Sequence, residues 1–284
     1  LNGVKGTADT LNRRRGRKNA VHSALDEARI DQPTLDAMLG AMRDSFPMFR
    51  QYFQAKARKL GKEKLPWWDL FAPMGQNTQS FTYDAARSYI LEQFRGFSPH
   101  LEAFAQHAFE KNWIDAEQRS GKQGGAFCMS LPLQKESRIL CNFDGSFDQV
   151  STIAHELGHG FHDDCLFRAG KTNLQRRTPM TLAETASILC ETIIMEAAYA
   201  EARDDGQKLA ILDSALINDS QLIVDISSRY LFEQALFERR AQSELSADEI
   251  CELMRQAQLQ TYGDGLDERY LHPYMWTWKP HYYK

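Results

Sequence analysis

His155-Glu156-Leu157-Gly158-His159 places two imidazoles four positions apart with a carboxylate beside the first. On an α-helix, positions i and i+4 stand one above the other on the same face, so both rings reach one metal ion while Glu156 sits a step round the helix. Histidines so spaced are how a metal-dependent hydrolase grips zinc, and the adjoining Glu is how it activates water. The segment must therefore be helical for its residue types to make sense together.

The flanks agree with a helix. Ser146-Phe147-Asp148-Gln149 reads as a capping box, with Ser146 as N-cap and Gln149 reaching back to its N–H. Phe147, Val150, Ala154, Leu157 and Phe161 recur at helical spacing as the expected buried stripe, and His155, His159 and His162 share a neighbouring face. A helix selected to pack would gain by losing Gly158 and Gly160, each costing about 1 kcal/mol relative to Ala in a helix interior. Beside a metal site, glycine lets another backbone or a substrate approach closely. His162 cannot easily share an ion with the other two on one short helix, so it is expected to support the site or to pack as a core histidine.

A catalytic zinc takes three protein ligands and leaves a position open to water, so a third ligand is required. The candidate segment is Thr181-Leu182-Ala183-Glu184-Thr185-Ala186-Ser187-Ile188-Leu189-Cys190-Glu191. Glu184, Ser187 and Glu191 share one stripe of a helix otherwise built from Ala, Ile, Leu and Cys, and carboxylates on a largely apolar helix need a cation or donors. Thr181 with Glu184 also reads as a capping box, and Thr178-Pro179 offers a second helix start. Capping accounts for Glu184 but not for the two polar residues that continue its stripe. Glu184 is the expected third ligand, with Ser187 and Glu191 orienting a histidine.

The run from His155 to His162, followed by Glu184 in Glu-Thr-Ala-Ser and then Glu191, resembles the thimet/oligoendopeptidase F family of zinc metallopeptidases. The interval from His159 to Glu184 is in keeping with that family and longer than in thermolysin-like enzymes. No x-x-Gly-x-x-His continuation follows His159, unlike the metzincin pattern. Leu70-Phe71-Ala72-Pro73, Gly121-Lys122-Gln123-Gly124-Gly125-Ala126-Phe127-Cys128, Arg138-Ile139-Leu140-Cys141-Asn142-Phe143 and Trp278-Lys279-Pro280-His281-Tyr282-Tyr283 extend the likeness toward the oligoendopeptidase F branch. The resemblance implies a mostly α fold, a helical zincin-type peptidase body with a small β-sheet beside the active-site channel. It implies one Zn2+ per chain, His281 and nearby tyrosines as donors to the oxyanion, Tyr283 among the substrate contacts, and short peptides as substrates. Members of that family are longer, so a chain opening at Leu1 and stopping at Lys284 is expected to be a catalytic-region fragment without the N-terminal lobe and the C-terminal end.

Hydrophobic content of 43%, a net charge of −4 and nine prolines fit a globular body. No signal-like opening and no apolar run of membrane-span length is present, so no membrane partner is expected. Five scattered cysteines without C-x-x-C spacing suggest neither a disulfide framework nor a cysteine metal site, which favours a cytoplasmic location. Cys165 and Cys190 read as packing residues. Arg13-Arg14-Arg15-Gly16-Arg17-Lys18 is a dense basic run near an expected helix start. Without interleaved aromatics and in a mildly acidic chain, it reads as an ion-pairing surface rather than a nucleic-acid site.

Along the chain, residues 1–120 read as the helical part of the catalytic region. Apolar positions recur at three and four from about Asn19 to Gly61, Thr82 precedes another helical stretch, and Ser98 with Pro99 at N1 precedes a further one. Residues 121–145 form a small β element, in which Ala126-Phe127-Cys128-Met129 and the run 138–143 make a hairpin. Its free edge could pair with an extended peptide, making Gly125, Ala126 and Phe127 candidate substrate contacts, or the hairpin merely supports the helices. Residues 146–284 form the zinc-binding helical part, including a capping box at Ser246-Ala247-Asp248-Glu249 and a break at Gly263-Asp264-Gly265.

The expected chemistry is zinc-dependent hydrolysis of oligopeptides, with Glu156 as general base and His281 donating to the oxyanion. The alternative is a metal- or peptide-binding fragment without turnover. Oligomeric state is not legible in the sequence.

Overall fold

The computed structural model describes residues 1–75 and 80–283. The chain divides into two compact units, Leu1–Met74 with Asp213–Lys284, and Gly75–Leu212. The boundaries expected at 120 and 145 both fall inside the second unit, because the small sheet packs directly on helices that precede and follow it in sequence.

In the first unit, α1 (Asn2–Arg14), α2 (Ala20–Ala28) and α3 (Gln32–Lys59) open the chain. The periodic stretch 19–61 is two helices, because Asp31 adopts extended backbone and caps α3 by accepting from the Thr34 N–H at 2.9 Å. The basic run lies at the C-terminus of α1, where the expected helix start would have opposed the helix dipole. There Arg13 pairs with Asp9, and Arg17 with Asp26. Phe46, Phe49 and Phe53 of α3 pack with Tyr262 and Leu266 in one core. α10 (Ile226–Arg240) and α11 (Ala247–Tyr262) build another from Phe232, Leu236, Met254 and Tyr282. A π-helical turn at Gln221–Asp225 leads into α10. The capping box predicted at Ser246 forms in full, Ser246 accepting from the Glu249 N–H and Glu249 accepting from the Ser246 N–H.

The second unit carries α4 (Tyr83–Phe97), α5 (Pro99–Glu110), three strands, α6 (Phe147–Arg168), α7 (Met180–Ala183), α8 (Thr185–Glu201) and much of α9 (Asp205–Ser220). Thr82 and Ser98 cap α4 and α5 as read from the sequence. β1 (Ile114–Asp115), β2 (Phe127–Leu131) and β3 (Glu136–Leu140) form a sheet in the order β1-β3-β2. The hairpin is the predicted one with both strands shifted toward the turn, five residues each, and β1, too short to show a period, joins it in parallel through Ile114 opposite Ile139. Among the described residues, β3 is central and β1 and β2 are both edge strands, β2 offering the longer free edge.

α6 runs through the middle of this unit's core. Phe147, Val150, Ala154 and Leu157 are buried as the stripe predicts, with Ile153 beside them and Phe161 half-buried. Full burial of one such side chain contributes about 1.5–3 kcal/mol. Its cap differs from the expected box. Ser146 accepts from the Gln149 N–H, but its own N–H donates to Asp144 Oδ1 at 2.8 Å, so Gln149 has no donor to reach back to. Cys190 is buried in the same core, whereas Cys165 is exposed, on the solvent side of α6.

Among the described residues, no helix is long and apolar enough to cross a membrane.

Candidate functional site

α6 and α8 meet where the sequence needs them to. A Cβ built on Gly158 would lie 2.6 Å from Ala186 O and 2.6 Å from Ser187 Cα, so the backbone of α8 occupies the space a side chain would take. One turn of α6 is thereby pressed against the first turn of α8, and Glu184 just before it. Gly160 makes room for the Phe104 ring, whose Cζ would be 2.9 Å from an added Cβ. The close-approach reading of the two glycines thus has a backbone and a ring as its objects.

Gly158→Ala is expected to destabilise the protein by about 1–3 kcal/mol or more, since the clash is with backbone that has no rotamer to yield. Any relief also moves Glu184 away from α6. Urea unfolding checks the loss of stability. Native stability in the variant would mean that the helices do not meet this closely.

His155 and His159 present their rings at a 5.0 Å centroid separation, nearly perpendicular. Nε2 of each lies 3.2 Å from the same oxygen, Oε2 of Glu184. Among the described residues, His155, His159 and Glu184 form the one group of three such side chains able to hold an ion, with one donor atom from each mutually within 4.8 Å. Tetrahedral ligand atoms about 2.0–2.2 Å from a zinc ion would stand about 3.3–3.6 Å apart, close to the spacing of these nitrogens from the carboxylate oxygen. The tautomer also fits. His155 Nδ1 lies 3.1 Å from Glu191 Oε2, and donation along that contact leaves the Nε2 lone pair aimed at Glu184.

The carboxylates differ in their surroundings. Thr181 lies inside α7, whose N-cap is Pro179, so it does not hold the N-cap position that the capping-box reading needs. Glu184 stands at the junction of α7 and α8 with φ −94° and ψ 4°, and its Oε2 accepts from Ser187 Oγ at 2.7 Å. Ser187 therefore steadies the carboxylate rather than a histidine, the direction opposite to the one expected. Glu156 is 6% exposed, and its Oε2 has no hydrogen-bond partner among the described residues. Burial pushes its pKa up to about 6, the neighbouring His155 opposing and Glu184 adding to the rise. Burial holds the His159 pKa below its ordinary value. Burial acts in the same direction on His155, but the hydrogen bond and charge of Glu191, with Glu156 and Glu184, outweigh it and raise that pKa.

Residues 1–284 match the sequence pattern of peptidase family M3 from end to end. The chain belongs to peptidase family M3. It is 26% identical over 266 residues to an oligoendopeptidase F homolog of Lactococcus lactis subsp. lactis, a match covering 93% of this chain and 44% of that protein. It is 22% identical to oligopeptidase PepF of Bacillus subtilis, covering 94% and 40%. The chain thus spans less than half the length of these relatives. A crystal structure of a Chlamydophila abortus protein assigned as a peptidase superposes with a TM-score of 0.82 at 21% identity, covering 100% of this chain and 48% of that one. Oligoendopeptidase-F from Enterococcus faecium superposes at 0.66 and 18% identity, covering 98% and 43%. These likenesses show the fold.

The remaining predicted site residues of this M3 chain are distributed over both units. His162, half-buried, contributes no atom to the three-residue cluster. Gly125, with φ +82°, turns the chain into β2, Ala126 follows, and Phe127 begins the edge strand. Gly125 O accepts from Asn142 Nδ2 at 2.9 Å. His281 and Tyr283 belong to the first unit, in a short 3-10 turn at Pro280–Tyr283, and both are exposed. The His281 ring packs 4.4 Å from that of Tyr282. Burial lowers the His281 pKa, and Arg229, Lys279 and Lys5 add to the effect against Glu233. Sequence reading passed over Asp163, one turn beyond His159, which accepts from Ser137 Oγ at 3.2 Å. It also passed over Lys122, whose side chain is buried inside a loop. Both are charged residues in polar stretches, where pattern carries no signal of burial.

Proposed function

We propose that this chain carries the catalytic zinc centre of an oligopeptidase, with His155, His159 and Glu184 as the metal ligands. The observation that carries the reading is the convergence of two Nε2 atoms on Glu184 Oε2, with the buried, partnerless carboxylate oxygen of Glu156 on the same turn of α6. Bound zinc would supply Lewis acidity toward the scissile carbonyl and toward water. Glu156, with its pKa raised toward neutrality, is suited to take a proton from water and deliver it to the leaving amine, since a base works best near the operating pH. Glu191 fixes the His155 tautomer, and Ser187 holds Glu184 in place. The edge of β2 from Phe127 would take the substrate backbone by strand addition, with Gly125 and Ala126 leading into it. Short peptides are the proposed substrates, in keeping with the relatives' names, and a cytoplasmic location is proposed, in keeping with free cysteines.

The test is a zinc determination beside an assay on an internally quenched peptide, with and without chelator. One zinc per chain and chelator-sensitive cleavage are expected. Zinc without cleavage by this chain on its own would favour the reading of a metal- or peptide-binding fragment.

His281 is proposed as a hydrogen-bond donor to the developing oxyanion, the role that the resemblance of the Trp278–Tyr283 segment implies. His281→Ala in the full-length protein is then expected to lower kcat by roughly ten- to thousandfold, the loss from one such donor, more than it raises KM. A variant with kcat intact and weaker substrate binding would place His281 in ground-state recognition instead.

A further inference from the structure

The link between β1 and β2 must cross the C-terminal end of β3, because β1 and β2 lie on opposite sides of it. Asp115 sits opposite Leu140 on one side and Phe127 opposite Leu140 on the other, so residues 116–126 span that end. Beyond the backbone bonds from the Cys141 N–H to Asp115 O and from the Phe143 N–H to Ala116 O, the crossing loop is organised around one side chain. The Lys122 side chain is 2% exposed, and its ammonium lies within hydrogen-bond distance of four oxygens, Cys141 O at 2.6 Å, Glu117 O at 2.8 Å, Asp115 O at 2.9 Å and Asp115 Oδ1 at 3.1 Å. The acceptors come from the end of β1, the loop and the residue just after β3. Arg119 closes the outside by forking both oxygens of Asp115, each at 2.7 Å.

An ammonium has three donors, and a buried one is tolerated only when its charge is met by acceptors. Lys122 therefore serves as an internal cation around which the loop folds, in the way a metal ion organises carbonyls. Asn142 extends the same clasp toward β2, donating to Gln123 O at 3.0 Å and Gly125 O at 2.9 Å. The chain leaving Cys141 and Asn142 reaches Ser146, the cap of the helix that bears His155 and His159, within four residues. One clasp thus fixes the first residue of the edge strand with respect to the start of the metal-bearing helix.

We propose that Lys122 is a positioning residue that sets the edge strand β2 against α6, so that a peptide paired to β2 lies in register with the His155, His159 and Glu184 cluster. This rests on the peptidase reading above. The clasp ties one strand end and meets the core that holds α6 through the Cys141 carbonyl, so the exchange pattern along α6 separates positioning from general stabilisation.

The test uses Lys122→Ala, Lys122→Met and Lys122→Arg in the full-length protein, with amide hydrogen exchange and peptide kinetics read together. In Lys122→Ala and Lys122→Met, exchange should rise at residues 123–131 and stay unchanged along α6. KM for an internally quenched peptide should rise about tenfold, or about 1.4 kcal/mol, while kcat and zinc content stay within about twofold. Added ammonium chloride, compared with sodium chloride at equal ionic strength, should restore part of the protection to Lys122→Ala by refilling the oxygen cage. Lys122→Arg keeps the charge and should lie between. Unchanged exchange at 123–131 would overturn the proposal, as would a rise spread equally through α6 with early melting, or kcat falling while KM holds. If the unsubstituted protein cleaves no peptide, the functional reading fails, and the exchange and ammonium arms still decide whether Lys122 positions the strand.

Discussion

Glu156→Gln in the full-length protein should retain its zinc and lose about a hundred- to ten-thousandfold in kcat, the range over which a positioned general base contributes. Gln has nearly the same shape, so the packing of α6 survives, and an amide cannot accept the proton. The burial that raises the Glu156 pKa to about 6 is a cost the native protein bears for a side chain with a partnerless oxygen. Removing the ionisable group should leave the melting temperature the same or slightly higher, so a loss of activity cannot be assigned to unfolding. Residual activity within about tenfold of native would place the base elsewhere. Zinc loss in this variant would instead make Glu156 a ligand, against the geometry in which Glu184 alone among the carboxylates faces both Nε2 atoms.

Much of the fold is legible in the sequence because its helices announce themselves twice, by period and by cap. Thr82, Ser98 and Ser246 cap where the pattern says a helix begins, and the apolar stripe of α6 is the buried one. What period cannot show is where one helix stops being one helix. The stretch 19–61 keeps its spacing through Asp31, and the break comes from that residue's competing side-chain bond to Thr34. β1 was illegible for a different reason. Two residues cannot display alternation, and Ile114 and Asp115 become a strand because β3 offers an edge.

The site was legible where chemistry constrains residue type and obscure where it constrains direction. Two histidines at i and i+4 and a carboxylate on a following apolar helix name the cluster before any coordinates. That Glu191 meets His155 while Ser187 turns to Glu184 could not be read from a shared stripe, because Glu184 sits outside α8, at its junction with α7, and breaks the stripe's geometry. Lys122 was invisible for the converse reason, since a lysine in a glycine-rich loop reads as solvated until the loop is seen to close around it.

The order of metal affinities among three variants follows from these contacts. Glu184→Ala deletes the atom on which both Nε2 atoms converge, and should weaken zinc binding by more than the roughly 10- to 100-fold expected for loss of a residue that only orients a ligand. Glu191→Ala should fall within that smaller range, since it frees the His155 ring without removing a donor. Ser187→Ala should cost less still, because Glu184 without its hydroxyl donor remains able to reach the ion. Competition with a zinc chelator, read as free zinc at equilibrium, gives all three constants in one experiment. The reverse order for the two glutamates would make Glu191 the ligand. That outcome is difficult to reach from this geometry, since Glu191 meets His155 through Nδ1 while the nitrogens that converge are both Nε2. A carboxylate bound to one ring nitrogen cannot share the ion held by the other without turning the imidazole over. Turning it would take His155 out of line with His159, and the four-residue spacing that brings the two rings together would no longer serve a purpose.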